Sequence, residues 1–334
     1  VPQNVHFRFP VAFRLSPDLE RARTRNLEWV RSHRLATTDE AVARYDSWDM
    51  TKLAAYMYPY ATGADLDLAA DLMGFRFPFD DQFEGPLGND PARAARICHE
   101  MTAVVHDPEA LSADASPAAR AFADMWRRSI DGMSSAWRSR AAHNWEYYFN
   151  AYPNEAIARR RGTPLSRQEY LHLRRGSSGG RTVVDMCERL GGFEVPPGAF
   201  HSPELRTMRR IATDVPAFCN DVHSVEKEAA RGDVHNLVLV VQNERHCPLP
   251  EAIDAVQGLI DDQLDTFERL WTRIPELSDR LGLDADRRTA ADRYVETMAL
   301  WMPGYHQWAV ETARYAAHGV IPADEPAYPE ALLA

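Results

Sequence analysis

Three features of this 334-residue chain predict an all-α fold. Apolar residues recur at helical spacing nearly throughout. No Asn-Gly or similar turn joins two alternating runs as a hairpin would, and no solenoid period repeats.

The helices follow in chain order. Over residues 62–84, Leu66, Ala70, Met73 and Phe77 form one stripe, and Leu68, Leu72, Phe75 and Phe79 another. A helix apolar on more than one face belongs in the interior. This one carries Asp80, Asp81 and Glu84 at its end, before Gly85-Pro86 breaks it. Residues 120–152 read as one or two helices rich in aromatics (Trp126, Trp137, Trp145, Tyr148, Phe149 and Tyr152). Ser202-Pro203-Glu204, an N-cap and a first-turn proline, opens a helix over 203–231. Asn236 to Val241 is β-branched enough for a strand, but helical flanks make it a buried helix. Long helices follow over 251–273 and 289–318.

Short Pro/Gly clusters at 107–117, 196–198, 247–250 and 282–286 mark turns, none a flexible linker. Residues 1–320 are therefore read as a single domain. The tail 321–334, with Pro322, Pro326 and Pro329, is expected to be poorly ordered, or ordered only on ligand binding.

Composition narrows the function. The net charge of -11 argues against a nucleic-acid partner. It leaves room for an anionic substrate, because bound cations can invert the local field. Cys98, Cys187, Cys219 and Cys247 form no CxxC and no zinc spacing, and read as ordinary thiols of a reducing compartment. No run of about 18 apolar residues suggests a membrane span. The opening Val1-Pro2-Gln3-Asn4 lacks signal-peptide character. The expectation is a cytoplasmic protein with no membrane partner.

Two acidic clusters carry the chemistry. The first is Phe79-Asp80-Asp81-Gln82-Phe83-Glu84. Asp80 and Glu84 are one turn apart on a helix, with Asp81 about 100° around. The second is Asn220-Asp221-Val222-His223-Ser224-Val225-Glu226-Lys227-Glu228. Asn220, Ser224 and Glu228 fall within an arc of about 80° over about 12 Å. An amide, a hydroxyl and a carboxylate in line can chelate one divalent ion, and oxygen-only donors suit Mg²⁺ or Mn²⁺ rather than zinc. Asp221 and Glu226 point elsewhere and read as solvent-facing or salt-bridge residues; Lys227 could reach a phosphate. Each cluster alone is equally a polar helix face. Carboxylates on a buried helix, however, are expensive unless paired or metal-bound.

Two further elements matter jointly. Arg174-Arg175-Gly176-Ser177-Ser178-Gly179-Gly180-Arg181 interrupts a helical segment, exposing carbonyls and amides beside arginines suited to bidentate phosphate contact. Arg314-Tyr315 closes the last helix, after Tyr305 and Trp308.

Together these four elements, in this order and with Arg174 placed 46 residues before Asn220, resemble the microbial class I terpene synthases, in particular bacterial sesquiterpene cyclases of the pentalenene synthase type. The resemblance runs from Phe9-Pro10 through Tyr58-Pro59-Tyr60-Ala61-Thr62-Gly63-Ala64-Asp65-Leu66-Asp67-Leu68 to Tyr315. It implies a single helical bundle around a deep apolar cavity. It also implies Asp80 as a metal-bridging carboxylate with Asp81 and Glu84 close by, and Asn220, Ser224 and Glu228 as ligands of a second metal position. Three Mg²⁺ ions are implied, with Mn²⁺ as an alternative. Arg174, Lys227, Arg314 and Tyr315 become donors to a diphosphate, Ser177 a linker, and Ser178 the residue whose carbonyl faces an allylic cation. Phe77, Trp308, Phe75, Phe149, Arg76 and Val183 become candidates for the cavity wall.

Two positions depart from the family pattern. Glu84 stands where aspartate is commoner, and Arg76 where relatives often place an aromatic. Arg76 could line the pocket and alter its shape, or turn away and pair with a carboxylate; the second is favoured, since an unpaired cation beside a carbocation is costly.

The implied reaction is metal-assisted ionisation of an isoprenoid diphosphate, C15 before C10 or C20, then cyclisation. No side chain is an obvious general base, so proton loss to diphosphate or water capture are both open. The implied assembly is a monomer or homodimer. A chain-elongating prenyl transferase would need a second DDxxD where Asn220-Asp221-Val222-His223-Ser224 stands. A helical scaffold protein leaves the joint spacing unexplained. His99-Glu100 is followed by His106, the wrong spacing for HExxH.

Overall fold

The computed structural model describes residues 5–162, 165–230, 233, 235–315 and 328–333. Among these there is no strand. The helices are α1 (Leu19–Ser32), α2 (Asp39–Trp48), α3 (Met50–Met57), α4 (Gly63–Asp81), α5 (Pro91–His106), α6 (Pro117–Ile130), α7 (Ser135–Phe149) and α8 (Ala151–Arg161). They continue with α9 (Arg167–Ser177), α10 (Gly180–Gly191), the single turn α11 (Pro197–Phe200), α12 (Pro203–Ala230), α13 (Leu237–Arg245), α14 (Leu249–Trp271), α15 (Ile274–Arg280) and α16 (Ala285–Glu311).

Local chemistry sets the ends. Side chains of Asp90, Ser116, Ser134, Asn236 and Asp284 cap α5, α6, α7, α13 and α16. Ser166 and Glu169 form a reciprocal capping box at α9. Ser202 Oγ accepts from the Leu205 amide at the start of α12, as its sequence suggests. Each such cap contributes about 1 kcal/mol.

Several boundaries differ from those read in the sequence. Residues 120–152 span three helices, because Gly132 at φ 73° turns the chain and Ser134 restarts it. α4 ends at Asp81, and Glu84 sits in the tight turn that follows, where the Phe83 amide donates to Asp80 O and the Glu84 amide to Asp81 O. The last long helix ends at Glu311 instead of 318. Thr312 is extended there, and Arg314 and Tyr315 lie on a 3-10 turn, Ala313–Tyr315.

α4 packs on α1, α3 and α6, while α12 packs on α10, α14 and α16. α16 also packs on α3, which joins the two halves around a cavity. One apolar cluster runs through the whole. No helix among the described residues is long and apolar enough to cross a membrane.

Of the tail, residues 321–327 and 334 lie outside the described residues, and 328–333 are packed. Tyr328 is buried and donates to Leu35 O at 2.7 Å. The Glu330 carboxylate accepts from the Thr37 and Thr38 amides. Leu332 is buried, and its amide donates to Gln82 Oε1 at 3.0 Å. Gln82 in turn donates to Glu330 O. Apolar burial of Tyr328 and Leu332 seats residues 328–333 despite Pro329.

Candidate active site

The cavity is walled by α3, α4, α7, α9, α10, α12, α16 and the 3-10 turn after α16. Its void is about 850 Å³, counting the open mouth. Each long wall helix runs from apolar to polar. On α4 the lining residues are Met73, Arg76, Phe77 and Asp80, with Glu84 beyond its end. On α12 they pass from Pro216 and Ala217 to Asn220, Ser224, Lys227 and Glu228. Leu53, Met57, Val183 and Trp301 extend the apolar part. Lining positions three or four apart keep one face inward.

At the polar end, Asp80, Asp81 and Glu84 bring ligand oxygens within 4.8 Å of one another. Asp80 is pushed up to about 6 by burial and by its neighbours Asp81 and Glu84. Tyr152 donates to Asp80 Oδ1 at 2.9 Å, a support that sequence reasoning missed. Asp81 does not line the cavity directly. It pairs with Arg314, with contacts of 2.9 and 2.5 Å, and both side chains are buried. Lys227 Nζ lies 3.1 Å from Glu84, tying α12 to the acidic turn.

On α12, Asn220 Oδ1 accepts from Arg174 at 2.5 Å. Its Nδ2 donates to the hydroxyls of Tyr305 (2.9 Å) and Tyr315 (2.6 Å). Ser224 Oγ donates to Asn220 O at 2.8 Å, which leaves its lone pairs free to accept or ligate. Glu228 accepts from Asn236 at 2.8 Å, and burial with nearby Asp221 pushes it up to about 8. Asp80 and Glu228, each held above the usual carboxylate range, with oxygen as the ligand type on both helices, suit a hard divalent cation; a zinc set would need nitrogen or sulfur.

For Asp221 the salt-bridge alternative holds and the solvent-facing one does not: it is fully buried. It accepts from Tyr170 Oη at 2.5 Å and the Leu237 amide at 3.1 Å, and pairs with Arg174 at 2.9 Å. A helical wheel places it off the ligand line but cannot say that α9 and α13 cover it. Glu226 is exposed.

The α9–α10 break lies opposite. Gly179 at φ 58° turns the chain between Ser178 and Gly180, a conformation that favours glycine. Ser177 and Ser178 line the cavity. Arg76 is a correction. It faces the cavity, donates to Ser178 O, and lies 5.4 Å from the Tyr148 ring centroid. No carboxylate pairs with it among the described residues. A free carbonyl at the helix break and an aromatic face take that role.

The wall aromatics sort themselves by packing. Phe77 and Val183 line the cavity. Trp308 stands one layer out, 5.4 Å from Phe77 between ring centroids, with its indole N–H donating to Trp48 O. Phe75 and Phe149 do not line it either. They belong to an aromatic core with Phe79, Phe122 and Trp145 on the far side of α4. Their apolar character is the same as a wall residue's, so only side-chain direction separates the two roles.

Residues 71–266 match the family model described as terpene synthase family 2, C-terminal metal binding. The chain is 40% identical over 99% of both chains to a pentalenene synthase of Streptomyces avermitilis. It is 36% identical to a (-)-beta-caryophyllene synthase, (2E,6E)-farnesyl diphosphate cyclizing, of Saccharothrix espanaensis, over 98% of this chain and 93% of the relative. The fold superposes on the crystal structure of germacradien-4-ol synthase from Streptomyces citricolor with a TM-score of 0.85. The two share 42% identity, and the match covers 93% of this chain and all of the other.

Proposed function

Because this chain belongs to the terpene synthase family, as the family match and full-length relatives establish, we propose that it ionises farnesyl diphosphate and cyclises the resulting allylic cation to a sesquiterpene hydrocarbon or alcohol, releasing diphosphate. One observation carries this reading. Acids from the end of α4 and the Asn220–Ser224–Glu228 line of α12 meet at the polar end of one otherwise apolar cavity.

Asp80, Asp81 and Glu84 on one side, and Asn220, Ser224 and Glu228 on the other, would hold three Mg²⁺ ions. Bound there, the ions would supply positive charge to the departing diphosphate. Arg174, Lys227, Arg314 and Tyr315 present N–H and O–H donors at the same end and would bind and orient the diphosphate oxygens. Their existing partners pre-place them: Arg174 is held by Asp221, Lys227 by Glu84, and Arg314 by Asp81. The isoprenoid chain would lie along Met73, Phe77, Leu53, Met57, Val183 and Trp301, which exclude water and offer ring faces to a cation. The chain length rests on the relative named for farnesyl diphosphate.

The test is incubation of the protein and Mg²⁺ with C10, C15 and C20 allylic diphosphates, read by gas chromatography–mass spectrometry. A cyclic C15 product is expected. No volatile product from any of the three would sink the proposal, and product formed only after adding isopentenyl diphosphate would mean chain elongation. Asp80→Asn and Asn220→Ala should each lower turnover by about 100-fold or more, the scale of losing one electrostatic catalytic group, with unchanged helicity by circular dichroism. Wild-type rates in both would remove the ligand assignment.

A further inference from the structure

Behind the α9–α10 break, on the side away from the acids, a second concavity opens between α7, α10, α11 and α12. Its void is about 980 Å³, counting the open side. Arg140, Arg175, Arg181, Arg206, Arg209 and Arg210 line it, and among the described residues Asp185 and Asp214 are the carboxylates that do. For a chain of net charge -11 this is a marked local reversal.

The partners do not absorb that charge. Arg175 forms a bidentate pair with Asp214 (2.8 and 2.7 Å), and Arg140 reaches Glu188 at 3.1 Å. Arg210 approaches Asp214 no closer than 3.9 Å. Among the described residues, Arg181, Arg206 and Arg209 have no carboxylate within ion-pair distance; Arg181 rests 4.2 Å from the Tyr147 ring centroid. Arg140 and Arg209 each lie 3.7 Å from the centroid of Phe200. A ring face has room for one guanidinium at that distance, so the two take opposite faces. One terminal nitrogen on each, Nη1, is buried with no acceptor among the described residues. A buried charged donor left unpaired loses its hydration without replacement, a cost that a bound acceptor would recover.

We propose that this cleft is a second anion site, for a small multivalent oxyanion of the phosphate or diphosphate class, independent of the metal-dependent mouth. Planar guanidinium forks converging from four helices suit tetrahedral oxyanions better than a spherical halide. The cleft is concave and backed by Phe200, so it fits a small ligand rather than an extended polymer. Its position gives occupancy a consequence. Arg175 and Arg181 flank the break whose Arg174 and Ser178 face the first cavity, and Thr213 lines both cavities. An anion drawn to the outer pair therefore bears on the segment that presents the inner pair.

The experiment is calorimetric titration of the full chain with inorganic diphosphate in EDTA at low salt, with inorganic phosphate and chloride as parallel arms. One saturable site is expected, tighter for diphosphate than phosphate, with chloride at equal ionic strength failing to compete. Arg206→Gln with Arg210→Gln, both exposed positions, should weaken binding by about tenfold or more. Arg181→Gln, on the other wall, should act in the same direction if the double variant melts early. Asn220→Ala should leave this metal-free binding unchanged. Unaltered binding in both cleft variants, loss of binding in Asn220→Ala, equal competition by chloride, or no saturable heat would each overturn the proposal. None of these outcomes depends on turnover, so failure here is separable from failure of the cyclase reading.

Discussion

At Arg76 a permanent cation faces the cavity between the apolar α4 residues Met73 and Phe77, short of Asp80, and its anchor is the Ser178 carbonyl. That carbonyl cannot then be fully offered to a substrate cation. Arg76→Leu is expected to free it and enlarge the apolar wall. Product composition should shift measurably by gas chromatography–mass spectrometry, with turnover within about tenfold of wild type, roughly 1.4 kcal/mol of barrier. An unchanged product profile would mean that the guanidinium does not shape the reacting chain. The sequence exposes Arg76 as unusual but misjudges its partner, because the rule that buried cations need carboxylates overlooks carbonyls freed at a helix break. At Asp221 the sequence leaves solvent and salt bridge both open, and the structure selects the salt bridge, with Arg174. Spacing along one helix gives direction, whereas burial is set by α9 and α13, remote in sequence.

α4, α12 and α16 each contain an interior proline, Pro78, Pro216 and Pro303, within four residues of a polar cavity residue. A sequence rule that ends helices at proline would cut all three, yet burial on several faces carries them through. That same burial made the inner helices legible: apolar stripes on more than one face survive any error in their ends. Close approach is also decided here. A Cβ on Gly304 would strike the backbone of Tyr56, where α16 meets α3. Gly304→Ala should lower stability by about 1–3 kcal/mol, read as an earlier midpoint in urea with helicity retained.

Between α12 and α16, His223 Nε2 and His306 Nδ1 are 3.2 Å apart. Burial, with the neighbouring histidine, pushes His223 down to about 3; burial, with His6, pushes His306 down to about 4. In the unfolded chain both would titrate near 6.5. The unfolded state therefore takes up protons first as pH falls. The pair's stabilisation is present above about 6.5 and is lost progressively toward pH 4. The raised carboxyls act with opposite sign, so the comparison needs a variant. His306→Gln should show a shallower fall in melting temperature between pH 7.5 and 5 than wild type; parallel curves would contradict the assignment.

Across the molecule, what could be read from sequence was what repeats locally: helix faces, the acids after Phe79, and the ladder from Asn220. What could not be read is built from dispersed residues. The arginine cleft draws on positions from 140 to 210 with no common spacing. The seating of Tyr328 and Leu332 depends on Leu35 and Gln82, far away in the chain.

The ion pairs at the mouth have one more effect. Arg314 and Lys227 are paired with Asp81 and Glu84, so the two charge sets lock each other like halves of a clasp. On the proposed ligand assignment, a metal arriving alone would have to pull an acid from its cation and strand it; an anion arriving alone would do the reverse. Only the two together exchange every partner at once. Thermal-shift measurements on the Arg206→Gln/Arg210→Gln variant should show Mg²⁺ plus diphosphate stabilising more than the sum of either alone, with a coupling of about 1–3 kcal/mol. Such a clasp would keep the entrance shut to stray ions and open it to the matched pair.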